Sequence, residues 1–196
     1  QGEVNEEASK ETGIPVGCPV IYRAGDQPNN ALSLNIFNQG EVAATGGTSG
    51  VIYAVTNQLK SKESSRINHF AHVNYTQERP LIGKLLNING AGILYSWMQQ
   101  NIASKGDTYQ DMNQLAASVP VGSEGLYMLP FGNGAERMLN NHSNGACMSN
   151  LNFNIHKKAH LFRAALEAIA FSFVYGIDIL KGDGVELSVI RAGNDN

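Results

Sequence analysis

The 196-residue sequence lacks an excess of charge of either sign and any long apolar run. Its 14 Lys and Arg residues nearly balance 17 Asp and Glu residues, so we expect neither nucleic acid nor a membrane surface as a partner. No apolar run approaches the roughly 18 residues of a membrane-spanning helix. Cysteine is also scarce, and we interpret Cys18 and Cys147 as reduced thiols of a cytoplasmic protein rather than as a disulfide framework.

Several common functional motifs are missing as well. No GxxxxGK[ST] occurs, which excludes a Walker-type phosphate loop, and no GxGxxG follows a predicted strand, which argues against a Rossmann site. Ser49 lies in Thr-Ser-Gly rather than GxSxG, so a Ser-His-Asp hydrolase fits poorly. His156 and His160 have the spacing of two zinc ligands on a helix, but no third ligand is evident. We interpret them as part of a solvated first helical turn.

Glycine, in contrast, is abundant, at 21 of 196 residues against an average of about 7%. The glycines cluster in "ATGGTSG", "NINGAG", "LPFGNGAE" and "ILKGDG", which predicts tight turns, some of them open to a ligand. In "GGTSG", backbone N–H groups and the Thr48 and Ser49 hydroxyls suit an anion. A plain hairpin turn between two strands explains the same residues.

The apolar pattern predicts an α/β domain with a mixed sheet that is at least partly parallel. Residues 1–17 are predicted to be a connector and residues 18–196 the domain itself. The predicted elements are a strand at 18–23, a helix from Asp26 to about Phe37, strands in "EVAATGG" and "GVIYAVT", a strand in "INHFAHVNY" paired with "RPLIGKLLN", helices in "GAGILYSWMQQNI" and "TYQDMNQLAASV", a short strand in "LYMLPF", an irregular stretch at 132–155, a long helix at 157–180 and a strand in "ELSVIRAG". One face of the long helix carries an apolar stripe that we predict to be core, formed by Phe162, Leu166, Ile169, Phe173 and Ile177.

Two acidic residues lie at informative places. Asp26 follows a predicted strand and opens a helix, and ligands of open α/β sheets bind at such strand ends. The alternative is that Asp26 only caps the helix, as Asp often does. Glu136 precedes Arg137 in a glycine-rich loop, and we expect the two side chains to form an ion pair there.

Together these stretches resemble the C-terminal half of the FGGY family of carbohydrate kinases. The matching stretches are "AGDQPNNAL", "ATGGTSGVIYAV", "INGAGILYSW", "GLYMLPFGNGAER", and "ACMSNL" followed after eight residues by "HLFRAALE". Asn150, in "ACMSNL", stands where the family signature has glycine. The closing turn Ala192–Asp195 departs from the family's Gly-Gly-Gly-Ala. Within the family, "YRAGDQPNNALSLN" and "HFAHVNY" look most like xylulose kinases.

The resemblance implies an actin-like (ribonuclease H-like) ATPase domain that forms the second half of a two-domain kinase. It implies ATP and Mg²⁺ as cofactors, a ketose such as D-xylulose as substrate, a missing N-terminal kinase domain as partner, and a possible homodimer. The implied catalytic base is Asp26, with Gln27 beside it on the sugar. The implied ATP-binding residues are Gly47, Thr48, Ser49, Gly92, Ser96, Gly193 and Asn194. Mg²⁺ would be held by ATP and water, with at most a water-mediated contact to Asp26.

The residues leave other functions open. Another substrate of the same family, such as gluconate, ribulose or glycerol, is the nearest alternative. An actin-like nucleotide-binding module with an assembly role is a second, and it would not need a base at Asp26. A structural α/β domain whose glycines only make turns is a third. Because half of the expected cleft is absent, we expect no useful turnover by residues 1–196 alone.

Overall fold

The computed structural model describes residues 2–20 and 25–194. The elements along the chain are β1 (Gly2–Glu3), α1 (Glu6–Thr12), β2 (Pro19–Val20), α2 (Asp26–Ser33), β3 (Glu41–Gly46), β4 (Gly50–Thr56), β5 (Asn68–Ala71), β6 (Ile82–Ile88), α3 (Gly92–Asn101), α4 (Tyr109–Ala117), β7 (Tyr127–Leu129), β8 (Cys147–Ser149), α5 (Lys158–Gly182) and β9 (Val189–Asn194). Within these residues, no helix is long and apolar enough to cross a membrane.

The central sheet has five strands in the order β5-β6-β4-β3-β9. The three pairs from β5 to β3 are antiparallel, whereas β3 and β9 run parallel. The mixed sheet predicted from the sequence is therefore confirmed. In the parallel pair, Thr45 lies opposite Gly193 and Gly46 opposite Asn194. The last residues of β9 consequently end beside the turn that joins β3 to β4.

Helices cover both faces of this sheet. On one face, Val42, Ile52 and Leu86 pack with Ile179 and Leu180 of α5. On the other face, the alternate residues of the same strands, among them Ala43, Val51, Tyr53 and Leu85, pack with Ala31 of α2 and with Ile36. Alternation along a strand puts successive side chains on opposite faces, so the two cores follow directly from the sequence pattern.

A third core joins α3, α4, β7 and the first half of α5. Phe162, predicted to begin the apolar stripe of the long helix, is fully buried there, and Leu166 and Ile169 pack against this core. Phe173 and Ile177, further along the same stripe, pack against the sheet core. One helix therefore connects the α3–α4 layer to the sheet, and the core role predicted for its stripe is confirmed.

A buried ion pair joins β6 to the end of α5. Lys84 Nζ lies 2.7 Å from Asp183 Oδ2, and both side chains are inaccessible to solvent. The Asp183 carboxylate also accepts hydrogen bonds from the Ser61 hydroxyl and the Lys62 amide. Burial by itself raises the pKa of Asp183, but these donors and Lys84 outweigh burial and leave the pKa below its usual value.

Several elements differ from the sequence prediction. The helix α2 ends at Ser33 rather than near Phe37, because Asn35 takes a positive φ of 56° and turns the chain so that Ile36 enters the core. The strand predicted at 67–75 is confined to β5, since the chain turns at the buried His72. That ring bonds the Ile36 carbonyl oxygen through Nε2, at 2.9 Å. The stretch 132–155, predicted as irregular, contains β8, which pairs with β7.

The N-terminal predictions fall partly outside the described residues. Of the strand predicted at 18–23, Pro19 and Val20 form β2, which pairs with β1, and residues 21–24 lie outside the described part. The helix α1 buries none of its residues and is capped by Asn5 and Gly13. That residues 1–17 act as a connector stays a prediction.

His160 corrects a sequence interpretation. Its ring is buried rather than solvated, and Nε2 lies 2.6 Å from Glu124 Oε2. Its Nδ1 accepts a hydrogen bond from the Lys157 amide at the start of α5. His156 lies beside it and bonds the Glu124 carbonyl oxygen, so the two histidines anchor a loop.

Candidate nucleotide and sugar site

The β3–β4 turn and the start of α3 are in direct contact. The Ile93 amide donates to the Thr48 carbonyl oxygen at 2.9 Å, and the Gly47 amide donates to Ser49 O within the turn. A Cβ atom on Gly92 would overlap the Gly47 carbonyl oxygen and lie 2.9 Å from the Gly47 carbonyl carbon. Only glycine allows this close approach, so Gly92 is needed for the geometry of the site.

A cavity of about 550 Å³ opens beside this contact. Of the predicted ATP-binding residues, Gly47, Thr48, Gly92 and Ser96 line it together. Ser49 lies at the exposed tip of the same turn and not in the lining. Residues from two separate sequence stretches therefore meet at this cavity. Gly47 and Gly92, for example, are 45 positions apart in the sequence.

The hydrogen-bond donors at this place are available to a ligand. Within the described part of the chain, the Thr48 and Gly92 amides and the Thr48 hydroxyl donate to no protein acceptor. Gly92 is also the first residue of α3, where the helix dipole favours negative charge. Unused amides in a turn that lies against a helix start suit phosphate oxygens.

Asp26 is the first residue of α2, and its side chain is exposed. Its Oδ1 accepts a hydrogen bond from the Gln27 amide at 2.9 Å, and Gln27 Nε2 lies 3.5 Å from Oδ2. One turn later, Asn30 Nδ2 donates to Thr45 Oγ1 at 2.7 Å. Since Thr45 immediately precedes the glycine turn, this bond fixes the start of α2 at the end of the sheet that carries the cavity.

Gly193 and Asn194 reach the same end of the sheet in the last strand. They pair with Thr45 and Gly46, and a Cβ on Gly193 would lie 3.0 Å from the Leu34 side chain. They belong to a strand and not to a turn, which corrects the sequence interpretation of this stretch. Among the described residues, Gly193 does not line the cavity, and Asp195 lies outside the described part.

Sequence reasoning gave Glu136 the wrong partner. Its Oε2 accepts hydrogen bonds from the amides of Asn89 and Gly90, at 2.9 and 3.1 Å, and the side chain is 1% exposed. Arg137 instead donates to the Ser65 carbonyl oxygen. The expected Glu136–Arg137 ion pair is therefore wrong. Glu136 holds the turn that leads into α3, because two backbone amides there have no other acceptor.

Sequence reasoning also gave no role to Tyr95, Tyr109 and Asn113, which form the far wall of the cavity together with Leu166 and Ile169 of the apolar stripe. The helical periodicity of "TYQDMNQLAASV" predicted a helix there, but a helix pattern does not say which neighbour its polar face meets. Among the described residues, no group of three His, Cys, Asp or Glu side chains is arranged to hold a metal ion.

A family model matches residues 42–193, and its description is "FGGY family of carbohydrate kinases, C-terminal domain". A gluconokinase of Bacillus subtilis is 30% identical over 87% of the chain and 34% of its own length. A xylulose kinase of Haemophilus influenzae is 27% identical over 97% of the chain and 37% of its own length. The chain thus spans about a third of the length of these curated relatives.

Solved structures give the same result for the fold. The crystal structure of a xylulose kinase from Rhodospirillum rubrum matches with a TM-score of 0.78 and 26% identity, over 97% of this chain and 37% of the other. A ligand-bound xylulose kinase from Lactobacillus acidophilus matches equally well. These neighbours confirm the predicted fold class, an actin-like ATPase domain with a mixed sheet flanked by helices.

Proposed function

Because the chain belongs to the FGGY family of carbohydrate kinases as its C-terminal domain, we propose that it is part of an ATP-dependent sugar kinase with Asp26 as general base. The observation that carries the proposal is the position of Asp26. Its helix is bonded through Asn30 to Thr45, next to the glycine turn that contacts the start of α3 through the Thr48 carbonyl oxygen. The phosphate-binding donors and the candidate base thus belong to one end of one sheet.

The turn and α3 act on the nucleotide. The Thr48 hydroxyl and the Thr48 and Gly92 amides hold phosphate oxygens, and Ser96 lies one helical turn along the same cavity. Gly193 and Asn194 border this region from the adjacent strand. ATP would supply the phosphoryl group, and Mg²⁺, which prefers phosphate and water oxygens, would neutralise its charge.

Asp26 acts on the sugar. A sugar hydroxyl is a weak nucleophile until it is aligned and its proton has an acceptor. The exposed Asp26 carboxylate would accept that proton as the hydroxyl oxygen bonds to the γ-phosphorus of ATP, while the bond from this phosphorus to the bridging oxygen breaks and ADP leaves. The Gln27 amide donates to Oδ1 and Gln27 Nε2 lies 3.5 Å from Oδ2, so Gln27 orients the carboxylate and would contact the sugar beside it.

We propose D-xylulose as the sugar, with gluconate as the alternative. Relatives named xylulose kinase align over 97% of the chain, which supports the ketose. Gluconokinases are the more identical relatives, at 29% and 30%, over 86% and 87% of the chain, which supports testing gluconate beside it. The other wall of the cleft, with most sugar contacts, would come from an N-terminal kinase domain, and residues 1–196 alone would then be inactive.

The test is an ATP-dependent phosphorylation assay on the intact parent protein with D-xylulose, gluconate, ribulose and glycerol. Asp26→Asn keeps the size of the side chain and removes the base, so we expect a loss of about 10²-fold or more in kcat. Asp178→Asn, the same change at an exposed residue of α5, is the matched control. Equal activity of the two variants would leave Asp26 as an acidic residue of the first turn of α2 with no catalytic role, and nucleotide binding without any transfer would support a non-catalytic module.

A further inference from the structure

Three Asn-Gly pairs occur in the glycine-rich stretches of the chain, at Asn89–Gly90, Asn133–Gly134 and Asn144–Gly145. Such pairs lose the side-chain amide readily, because glycine has no side chain to hinder attack by its own main-chain nitrogen. We propose that Asn133 is a site of spontaneous deamidation that weakens the nucleotide site, and that Glu136 protects the neighbouring Asn89–Gly90 pair from the same reaction. The chemistry is independent of the proposed function, whereas its effect on ATP binding rests on that function.

The reaction exchanges an amide for an acid. The main-chain nitrogen of the glycine loses its proton and attacks Cγ of the asparagine, the bond from Cγ to the side-chain nitrogen breaks, and ammonia leaves. Water then opens the cyclic imide at either carbonyl and leaves an aspartate or an isoaspartate, with a new negative charge. The reaction therefore needs an accessible glycine nitrogen and an asparagine side chain that is free to turn towards it.

The pairs at Asn133 and Asn144 meet these requirements. All four residues are exposed and lie outside helices and strands. Gly134 and Gly145 have positive φ angles of 78° and 75°, a conformation that other residues rarely adopt. Among the described residues, neither glycine amide donates to an acceptor, and the Asn144 side chain has no hydrogen-bond partner. The Asn133 side chain makes one bond, from Nδ2 to the Asn89 carbonyl oxygen at 3.0 Å.

The Asn89–Gly90 pair is held in a different way. Gly90 is buried, and its amide donates to Glu136 Oε2 at 3.1 Å. A negative charge beside this nitrogen opposes the loss of its proton, so the carboxylate suppresses the attacking species. Asn89 Nδ2 donates to the Ala135 carbonyl oxygen at 2.7 Å, which fixes the side chain. A Cβ on Gly90 would overlap the Pro130 carbonyl oxygen, so the main chain has no room to turn until this segment opens locally.

Deamidation of Asn133 affects the nucleotide site through Asn89. The Asn89 carbonyl oxygen belongs to the turn that leads into α3, whose first residue, Gly92, lines the cavity beside the β3–β4 turn. The deamidated side chain has no N–H group to donate, and it places a carboxylate against this carbonyl oxygen. A hydrogen bond that helps to fix the start of α3 is thereby replaced by a repulsion.

Peptide mapping of the intact kinase tests the chemistry. Trypsin cuts after lysine and arginine, so it releases the three pairs in separate peptides, residues 85–105, 106–137 and 138–157. After incubation at mildly alkaline pH, fragment spectra should locate deamidation at the Asn-Gly pair of the second and third peptides. We expect the pair in the first peptide to react at least about tenfold more slowly, because that segment must open first.

Glu136→Gln tests the protection directly. The change keeps the shape of the side chain and removes its charge, so Asn89 should deamidate faster than in the wild type, while the rate at Asn144 is unchanged. Glu186→Gln, the same change at an exposed position after α5, is the matched control.

Asn133→Asp imitates the deamidated product and tests its effect on the site. We expect the KM for ATP to rise about two- to tenfold, the range for one lost hydrogen bond, with an unchanged KM for the sugar. Asn144→Asp makes the same change of charge in an exposed loop and should leave both constants unchanged. Asn133→Gln, whose longer side chain must close a larger and less favourable ring, should lose ATP affinity more slowly than the wild type during incubation.

The outcomes separate this proposal from the proposed function. Equal deamidation of the three pairs overturns the protection of Asn89, and so does an unchanged rate at Asn89 in Glu136→Gln. An intact Asn133 in protein whose Asn144 has reacted overturns the site, and equal KM values for ATP in Asn133→Asp and Asn144→Asp overturn its effect. If the wild type transfers no phosphate to any sugar, the proposed function fails. Peptide mapping then still decides the chemistry, and calorimetric titration with ADP decides the effect, which is overturned if Asn133→Asp and the wild type behave alike.

Discussion

Gly92→Ala tests whether the contact between the β3–β4 turn and α3 determines activity. The added methyl group would overlap the Gly47 carbonyl oxygen and lie 2.9 Å from its carbon, and neither main-chain atom can rotate away. Ordinary contacts between carbon atoms are about 3.5–4.0 Å, so the turn and the helix must separate by about 1 Å. The Ile93–Thr48 hydrogen bond, now 2.9 Å, would then be lost.

Such a shift has two measurable consequences. Misplacing a substrate-positioning group by about 1 Å costs on the order of 10²-fold in rate, and overpacking costs about 1–3 kcal/mol of stability. We therefore expect kcat/KM for ATP to fall about 10²-fold and the urea midpoint of the intact kinase to decrease. Gly182→Ala, the same change at the end of α5 with nothing within 4 Å of the new methyl group, is the control. The reasoning is refuted if Gly92→Ala behaves like Gly182→Ala in both measurements.

Three further predictions concern buried polar groups. Asp183→Asn leaves Lys84 buried without its counter-charge and should lower the free energy of unfolding by about 3–5 kcal/mol; urea titration checks this, and a loss below about 1 kcal/mol would contradict it. Burial lowers the pKa of His72, so the unfolded state binds the proton more tightly, and the free energy of unfolding should fall as the pH decreases below about 6.5. His72→Gln should flatten that part of the pH profile, and an unchanged slope would exclude His72 as its source. Glu136→Ala deprives two turn amides of their acceptor and should cost about 1–3 kcal/mol and weaken ATP binding, whereas Arg137→Ala, measured in parallel, should affect ATP binding far less.

The strands and helices with a strong pattern could be predicted from the sequence. The β3 and β4 strands and their turn follow from β-branched residues interrupted by glycine, and the long stripe of α5 follows from helical spacing. The end of α2 could not be predicted in this way. It depends on the positive φ of Asn35, which turns the chain so that Ile36 is buried. Periodicity marks an element, whereas the points at which the chain turns depend on contacts with distant segments.

The candidate site was predictable to the extent that its residues lie in recognisable glycine turns. Gly47, Thr48, Gly92 and Ser96 were each implied by the resemblance of their glycine-rich stretches to the family, and the structure brings them to one cavity. Glu136 was given the wrong partner, since an acid next to an arginine suggests an ion pair. Its actual partners are backbone amides, which every residue except proline has, so the sequence does not distinguish them. Tyr109, likewise, looks like any residue in the first turn of an amphipathic helix.

The parallel pairing of β3 with β9 has a consequence for how the protein folds. Glu41 pairs with Val189 and Gly46 with Asn194, so this pairing closes a loop that contains most of the chain. The Lys84–Asp183 contact likewise joins residues 99 positions apart. Loops of this size form slowly, because their entropy is lost before the contacts are gained. During synthesis β3, β4 and β6 emerge long before their last partner, and until β9 arrives the open edge of β3 is exposed to other chains.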